Sequence, residues 1–95
     1  MNAFEIKELE RGVFFADYRY RAFVENYMVI VTDAERRDDQ DRATVVFERP
    51  VADVRSIVSI MVFLVERAPG AFYRPDDGEY AIAPNRSMYG PAITI

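Results

Sequence analysis

The stretch VFFADYRYRAFVE, residues 13–25, decides the fold of this chain, because it admits two periodicities. Its even positions, Phe14, Ala16, Tyr18, Tyr20, Ala22 and Val24, are apolar or aromatic, while its odd positions include Asp17, Arg19, Arg21 and Glu25. Successive side chains of a strand point to opposite sides, so this alternation describes one long strand with a buried face. A helix would instead gather Phe14, Tyr18 and Ala22, but the aromatic content favours the strand. As a strand, the stretch implies an α+β fold: an antiparallel sheet of five to seven strands with one long helix packed on one face. As a helix, it would give the ferredoxin-like order βαββαβ.

The flanking segments fit the first architecture. Residues 4–9 (FEIKEL) alternate Phe4 and Ile6 against Glu5 and Lys7 before Gly12, which predicts a short strand. Residues 27–32 (YMVIVT) form a compact apolar run suited to a central strand, and residues 43–48 (ATVVFE) form another. Between them, residues 33–42 (DAERRDDQDR) are polar apart from Ala34, so a hairpin with a long charged loop is expected. Residues 51–67 carry no breaker. Val54, Ile57, Val58, Met61, Leu64, Val65 and Ala68 recur at spacings of three and four, the stripe of a helix lying on a sheet. Pro50 suits its first turn, Asp53 its positive end, and Pro69-Gly70 its stop. A strand over residues 57–65 competes on Ile and Val content, but the length between punctuators favours a helix. Pro75-Asp76-Asp77-Gly78 has the chemistry of a turn, joining Phe72-Tyr73 to Tyr80-Ala81-Ile82 as a second hairpin. Met88-Tyr89 and residues 92–95 read as a last strand, with Ile93 and Ile95 docking the terminus in the sheet.

Ninety-five residues imply one domain, and 51% hydrophobic with 29% charged residues is an ordinary globular balance. There is no run of about 18 apolar residues. The charged N-terminal segment lacks the apolar stretch of a signal peptide, so a cytoplasmic location without membrane contact is expected. The absence of cysteine removes disulfides, thiolate metal sites and thiol nucleophiles, and the absence of histidine removes the usual neutral-pH base and the commonest zinc ligand. Gly12, Gly70, Gly78 and Gly90 are too dispersed for a phosphate-cradling loop, and Ser56, Ser59 and Ser87 have no imidazole to activate them. Glu5-Ile6-Lys7 matches the Glu-x-Lys fragment of metal-dependent nucleases, yet only four residues precede it, too few for a strand bearing the acidic ligand. A non-enzyme without cofactor or metal is therefore expected.

A net charge of −4 argues against a chain built to grip nucleic-acid phosphates. Eleven of the twelve cations are Arg, with Lys7 alone, which codon bias explains without a functional cause. Tyr18-Arg19-Tyr20-Arg21 interleaves rings and cations as a base-stacking surface would, but in one strand the two types face opposite sides. Acidic residues crowd two segments: Asp33, Glu35, Asp38, Asp39 and Asp41, then Asp76, Asp77 and Glu79. Neither has the alternate oxygen ligands and central Gly of an EF-hand loop, and Arg36, Arg37 and Arg42 compete as counter-ions in the first. The second is explained by its turn. The first is either a solvated tip or a partner-facing patch, with Glu35, Asp38, Asp39 and Asp41 as the candidate contacts.

The helix offers a different surplus. Ile60, Val62 and Phe63 lie away from its buried stripe, so they need cover from a folded-over C-terminal hairpin or from the interface of a homodimer. Together these features lead to the expectation of a small non-enzymatic protein-binding module. By class it resembles the phage and mobile-element accessory proteins that inhibit a host nucleoprotein complex by presenting acidic and aromatic surface to a basic nucleic-acid-binding site. The alternatives are a nucleic-acid-binding or regulatory module and a small structural subunit of a larger assembly.

Overall fold

A four-stranded antiparallel meander, in the order β1-β2-β3-β4, organises the chain. The computed structural model describes residues 1–74 and 79–80. Strands β1 (Val13–Phe15), β2 (Tyr20–Glu25), β3 (Met28–Arg37) and β4 (Ala43–Pro50) follow helix α1 (Ala3–Arg11) and precede helix α2 (Ile57–Arg67). A separate antiparallel pair, β5 (Tyr73–Arg74) with β6 (Glu79–Tyr80), aligns Tyr73 with Tyr80. The fold is thus α+β, with a sheet of four strands and two helices among the described residues. The expected single sheet of five to seven strands with one long helix is not found there, nor is the βαββαβ order. The expected turn at residues 75–78 and the last strand at residues 88–95 lie outside the described residues.

Residues 4–9 are helical, correcting the short strand expected there. Asn2 caps α1, its side chain accepting from the Glu5 N–H at 2.8 Å, and the Gly12 N–H returns to the Leu9 carbonyl at 3.0 Å. Between those caps lie Glu, Lys, Leu, Ala and Arg, all strong helix formers. Two apolar positions in alternation could not outweigh them. Gly12 is required by its φ of +92°, and a Cβ there would meet Arg21 Nε at 3.0 Å.

Residues 13–25 form a hairpin rather than one strand. Ala16, Asp17 and Tyr18 adopt φ of +54°, +52° and +67°, the left-handed region, and the Arg19 N–H closes onto the Ala16 carbonyl at 3.2 Å. Asp tolerates that conformation, whereas Ala and Tyr seldom do, so no local signal marks the turn. Phe15 pairs with Tyr20, and the turn inverts the parity of everything before it. Val13 and Phe15 join Tyr20 and Ala22 in the core, whereas Phe14 lies on the opposite face.

Strand β3 continues through Arg37, which corrects the loop expected over residues 33–42. The Ala34 N–H donates to the Arg19 carbonyl at 2.8 Å, Asp33 aligns with Thr44, and Arg37 aligns with Ala43, leaving a short connection of residues 38–42. A register shift between Val31 and Thr32 accommodates one extra residue, Val46, in β4.

The helix expected over residues 51–67 is divided. β4 pairs through Pro50 with Met28, and the Val51 N–H donates to the Tyr27 carbonyl at 2.9 Å. Pro50 therefore ends a strand instead of opening a helix. A 3-10 turn, Val51–Asp53, follows before Ser56 caps α2. The Ser59 N–H donates to Ser56 Oγ at 3.2 Å and the Ser56 N–H to Ser59 Oγ at 3.4 Å, a reciprocal capping box. Helix α2 ends at Arg67, before Pro69.

Both helices contribute to one core. Leu9, Val54, Ile57, Ile60, Met61 and Leu64 pack with Val13, Phe15, Tyr20, Ala22, Val29 and Val31. Helix α1 is tied to α2 across 52 residues of sequence: Glu5 Oε2 accepts from the Ile57 N–H at 2.7 Å. Opposite the core, Phe14, Arg21, Thr32 and Val45 align in one row of the sheet's outer face.

Candidate functional site

Strand β3 and its connection to β4 run on past the start of β2 as a finger: Tyr20 already pairs with Asp33, four more residues of β3 follow, and after a register shift Arg37 pairs with Ala43. This finger places the acidic residues singled out above. Asp38 is the centre of its tip: Oδ1 accepts from the N–H groups of Gln40 and Arg42, both at 2.9 Å, and Oδ2 accepts from Arg42 Nε at 3.2 Å. The Arg42 backbone N–H bond is the largest cause holding the Asp38 carboxyl below its ordinary range. From the other side, Arg37 donates to the carbonyls of Ala34, at 2.9 Å, and Asp41, at 3.2 Å. Asp41 turns the chain with a φ of +59°. Asp39 and Asp41 are exposed, and their carboxylates accept no hydrogen bond from a described residue.

Glu35 sits lower, at the finger's base, where its Oε2 meets Arg19 Nη1 at 3.1 Å. The structure therefore brings Asp38, Asp39 and Asp41 together at the tip and holds Glu35 apart in a second group. Asp33, expected in the same solvated loop, is 1% exposed. It accepts Arg19 Nε at 3.0 Å and Nη2 at 3.1 Å, a two-pronged pair, and the Glu35 N–H at 3.0 Å. Burial tends to raise the Asp33 carboxyl, but these bonds outweigh it and hold the group below its ordinary value. Arg19 thus fastens the left-handed turn to the finger. Between that turn, Glu35 and residues 68–71 lies an open groove of about 610 Å³. Sequence patterning missed the Arg19–Asp33–Glu35 group because the residues meet only through the β2–β3 register.

The apolar residues assigned to a second face of α2 separate in the structure. Ile60 is fully buried and belongs to the core, correcting its place on an interface. The extended break at residues 54–56 rotates the helix so that Ile57, Ile60, Met61 and Leu64 face inward. Phe63 is half-buried with its ring 5.0 Å from that of Phe47, edge to face. Val62 is 48% exposed, and Val58, expected in the stripe, is 57% exposed. A surface contact on α2 would use Val58 and Val62, one turn apart.

Among the described residues, no three carboxylates converge as a metal site would require, and no helix is long and apolar enough to cross a membrane. No family model, curated protein or solved structure matches the chain.

Proposed function

We propose that this chain is a small non-enzymatic protein-binding module whose finger docks on a basic, nucleic-acid-binding surface of a protein partner, inhibiting a host nucleoprotein complex. The supporting observation is the division of labour at the tip. Arg37, Arg42 and Asp38 are consumed in holding the turn, while Asp39 and Asp41 project their charge outward. A tip fixed before binding loses less conformational freedom on docking. Carboxylates on such a projection favour a cationic partner, chiefly through association rate and specificity.

The test is affinity capture from native host cells with the wild-type chain and with the double variant Asp39→Asn/Asp41→Asn. Wild type should retain a basic nucleic-acid-binding protein that salt or excess duplex DNA releases. The double variant should bind it at least about tenfold more weakly, the scale of losing two close charge contacts. Capture unaffected by the substitutions and by DNA would overturn the proposal. The double variant should also keep its unfolding free energy within about 0.5 kcal/mol of wild type, as exposed substitutions do, so that lost binding cannot be attributed to lost fold.

A second reading, direct nucleic-acid binding, draws on the outer sheet face, where the Arg21 guanidinium lies 4.5 Å from the centre of the Phe23 ring. Ring and cation share one side there, the arrangement that stacking on bases would use. Nucleic acid co-purifying with the chain and released by salt would favour it.

A further inference from the structure

On the α2 side of the finger's base lies a cavity of about 340 Å³, lined by Arg19, Tyr20, Asp33, Arg36, Arg67 and Ala68. Three of its six lining residues are arginines, in a chain of net charge −4. Arg19 is fully engaged, with Nε and Nη2 on Asp33 and Nη1 on Glu35, so both local carboxylates already have their cation. Arg36 and Arg67 form no ion pair among the described residues.

Tyr20 adds an independent sign. It is 1% exposed, its ring stacks on Phe72 with centroids 6.1 Å apart, and its hydroxyl has no hydrogen-bond partner among the described residues. Buried hydroxyls are almost always bonded, because leaving one unpaired forfeits the hydrogen bonds that water supplied. Burial raises its ionisation still further above neutral pH than that of an ordinary tyrosine, so the hydroxyl is a donor there with or without the shift.

We propose that this cavity binds a phosphate dianion, free or as a small monoester, held by Arg36 and Arg67 and by the Tyr20 hydroxyl. A dianion answers both unpaired cations where a carboxylate would answer one, and the guanidinium fork matches phosphate oxygens. The volume is roughly ten times the 30 Å³ of one water in the liquid, so a substituent of ring or sugar size has room beside the phosphate.

Calorimetric titration with inorganic phosphate and with phenyl phosphate, in chloride buffers of matched low ionic strength, tests this. One saturable site is expected for at least one of the two. Tighter binding of phenyl phosphate assigns the cavity to a monoester, and tighter binding of inorganic phosphate assigns it to the free ion. Arg36→Gln and Arg67→Gln should each weaken binding about tenfold, the worth of one charge-assisted contact. Tyr20→Phe should weaken binding severalfold without lowering the melting temperature of the unliganded protein. The absence of saturable binding, or affinities unchanged in both arginine variants, overturns the proposal. The arginine variants alter exposed side chains, so they carry the test even if Tyr20→Phe does not fold.

Discussion

Asp33 spends its acceptor capacity inside the protein, on two nitrogens of Arg19 and on the Glu35 N–H. Asp33→Asn replaces one acceptor with a donor aimed at a guanidinium and leaves the half-buried Arg19 with only the exposed Glu35 as its counter-ion. It should cost about 2–3 kcal/mol, toward the lower end for a broken buried pair because Arg19 keeps some solvent contact. Urea unfolding measures it. The same carboxyl gives stability a pH dependence of definite sign. Folding holds it below its ordinary value of 3.8, so its contribution is complete above that value and disappears as pH falls through the depressed one. Asp38 titrates in the same direction. Wild type should therefore lose stability from about pH 4 downward, and Asp33→Asn should flatten that arm without removing it. Gly12→Ala should destabilise by more than about 1 kcal/mol, since it forces a Cβ into a left-handed position against Arg21. A neutral result would mean that the link between α1 and β1 relaxes.

At the scale of elements, α2 supplies the sharpest contrast. Ile60→Ala should cost about 2–4 kcal/mol for an emptied core site. Val62→Asp, two residues on, should change stability by no more than about 1 kcal/mol. Reversed magnitudes in denaturant titrations would show a different rotation of the helix. The 3.6-residue period revealed that α2 exists and where it stops, but its rotation depends on the Ser56–Ser59 cap, which moved the start by six residues. Helix α1 was legible in principle: Asn2 before it, Gly12 after it and Arg11 in its last turn are the ordinary signals. A two-residue alternation obscured them. The left-handed turn at residues 16–18 was not legible, because alternation passed unbroken through a reversal that only Asp17 favours locally.

For the whole molecule, the α+β class followed from apolar runs separated by polar segments, while the pairing of chemical groups did not. Asp33 lies in a sequence run that looks uniformly solvated, and only the alignment of Tyr20 with Asp33 delivers it to Arg19. Tyr20, Arg36 and Arg67 likewise come from three separate elements, so their shared cavity is invisible until the meander is assembled.

The bond from the Ile57 N–H to Glu5 bears on the order in which the molecule assembles. The meander's strand pairs are neighbours in sequence and close over short loops, whereas Glu5 can meet Ile57, 52 positions away, only after the chain between them has been arranged. Contacts of long separation incur their loop-closure entropy before they stabilise anything, so the bond between Glu5 and α2 is expected to form after the sheet. Glu5→Ala keeps a good helix former but removes a carboxylate from the positive end of α2, a loss of about 1 kcal/mol. Stopped-flow measurements should show that loss almost wholly as faster unfolding, with the refolding arm of the chevron unmoved and a φ-value near zero. Slower refolding would place α1 in the nucleus. A bond made late in folding would govern how long the native state lasts, since losing it speeds unfolding and leaves refolding unchanged.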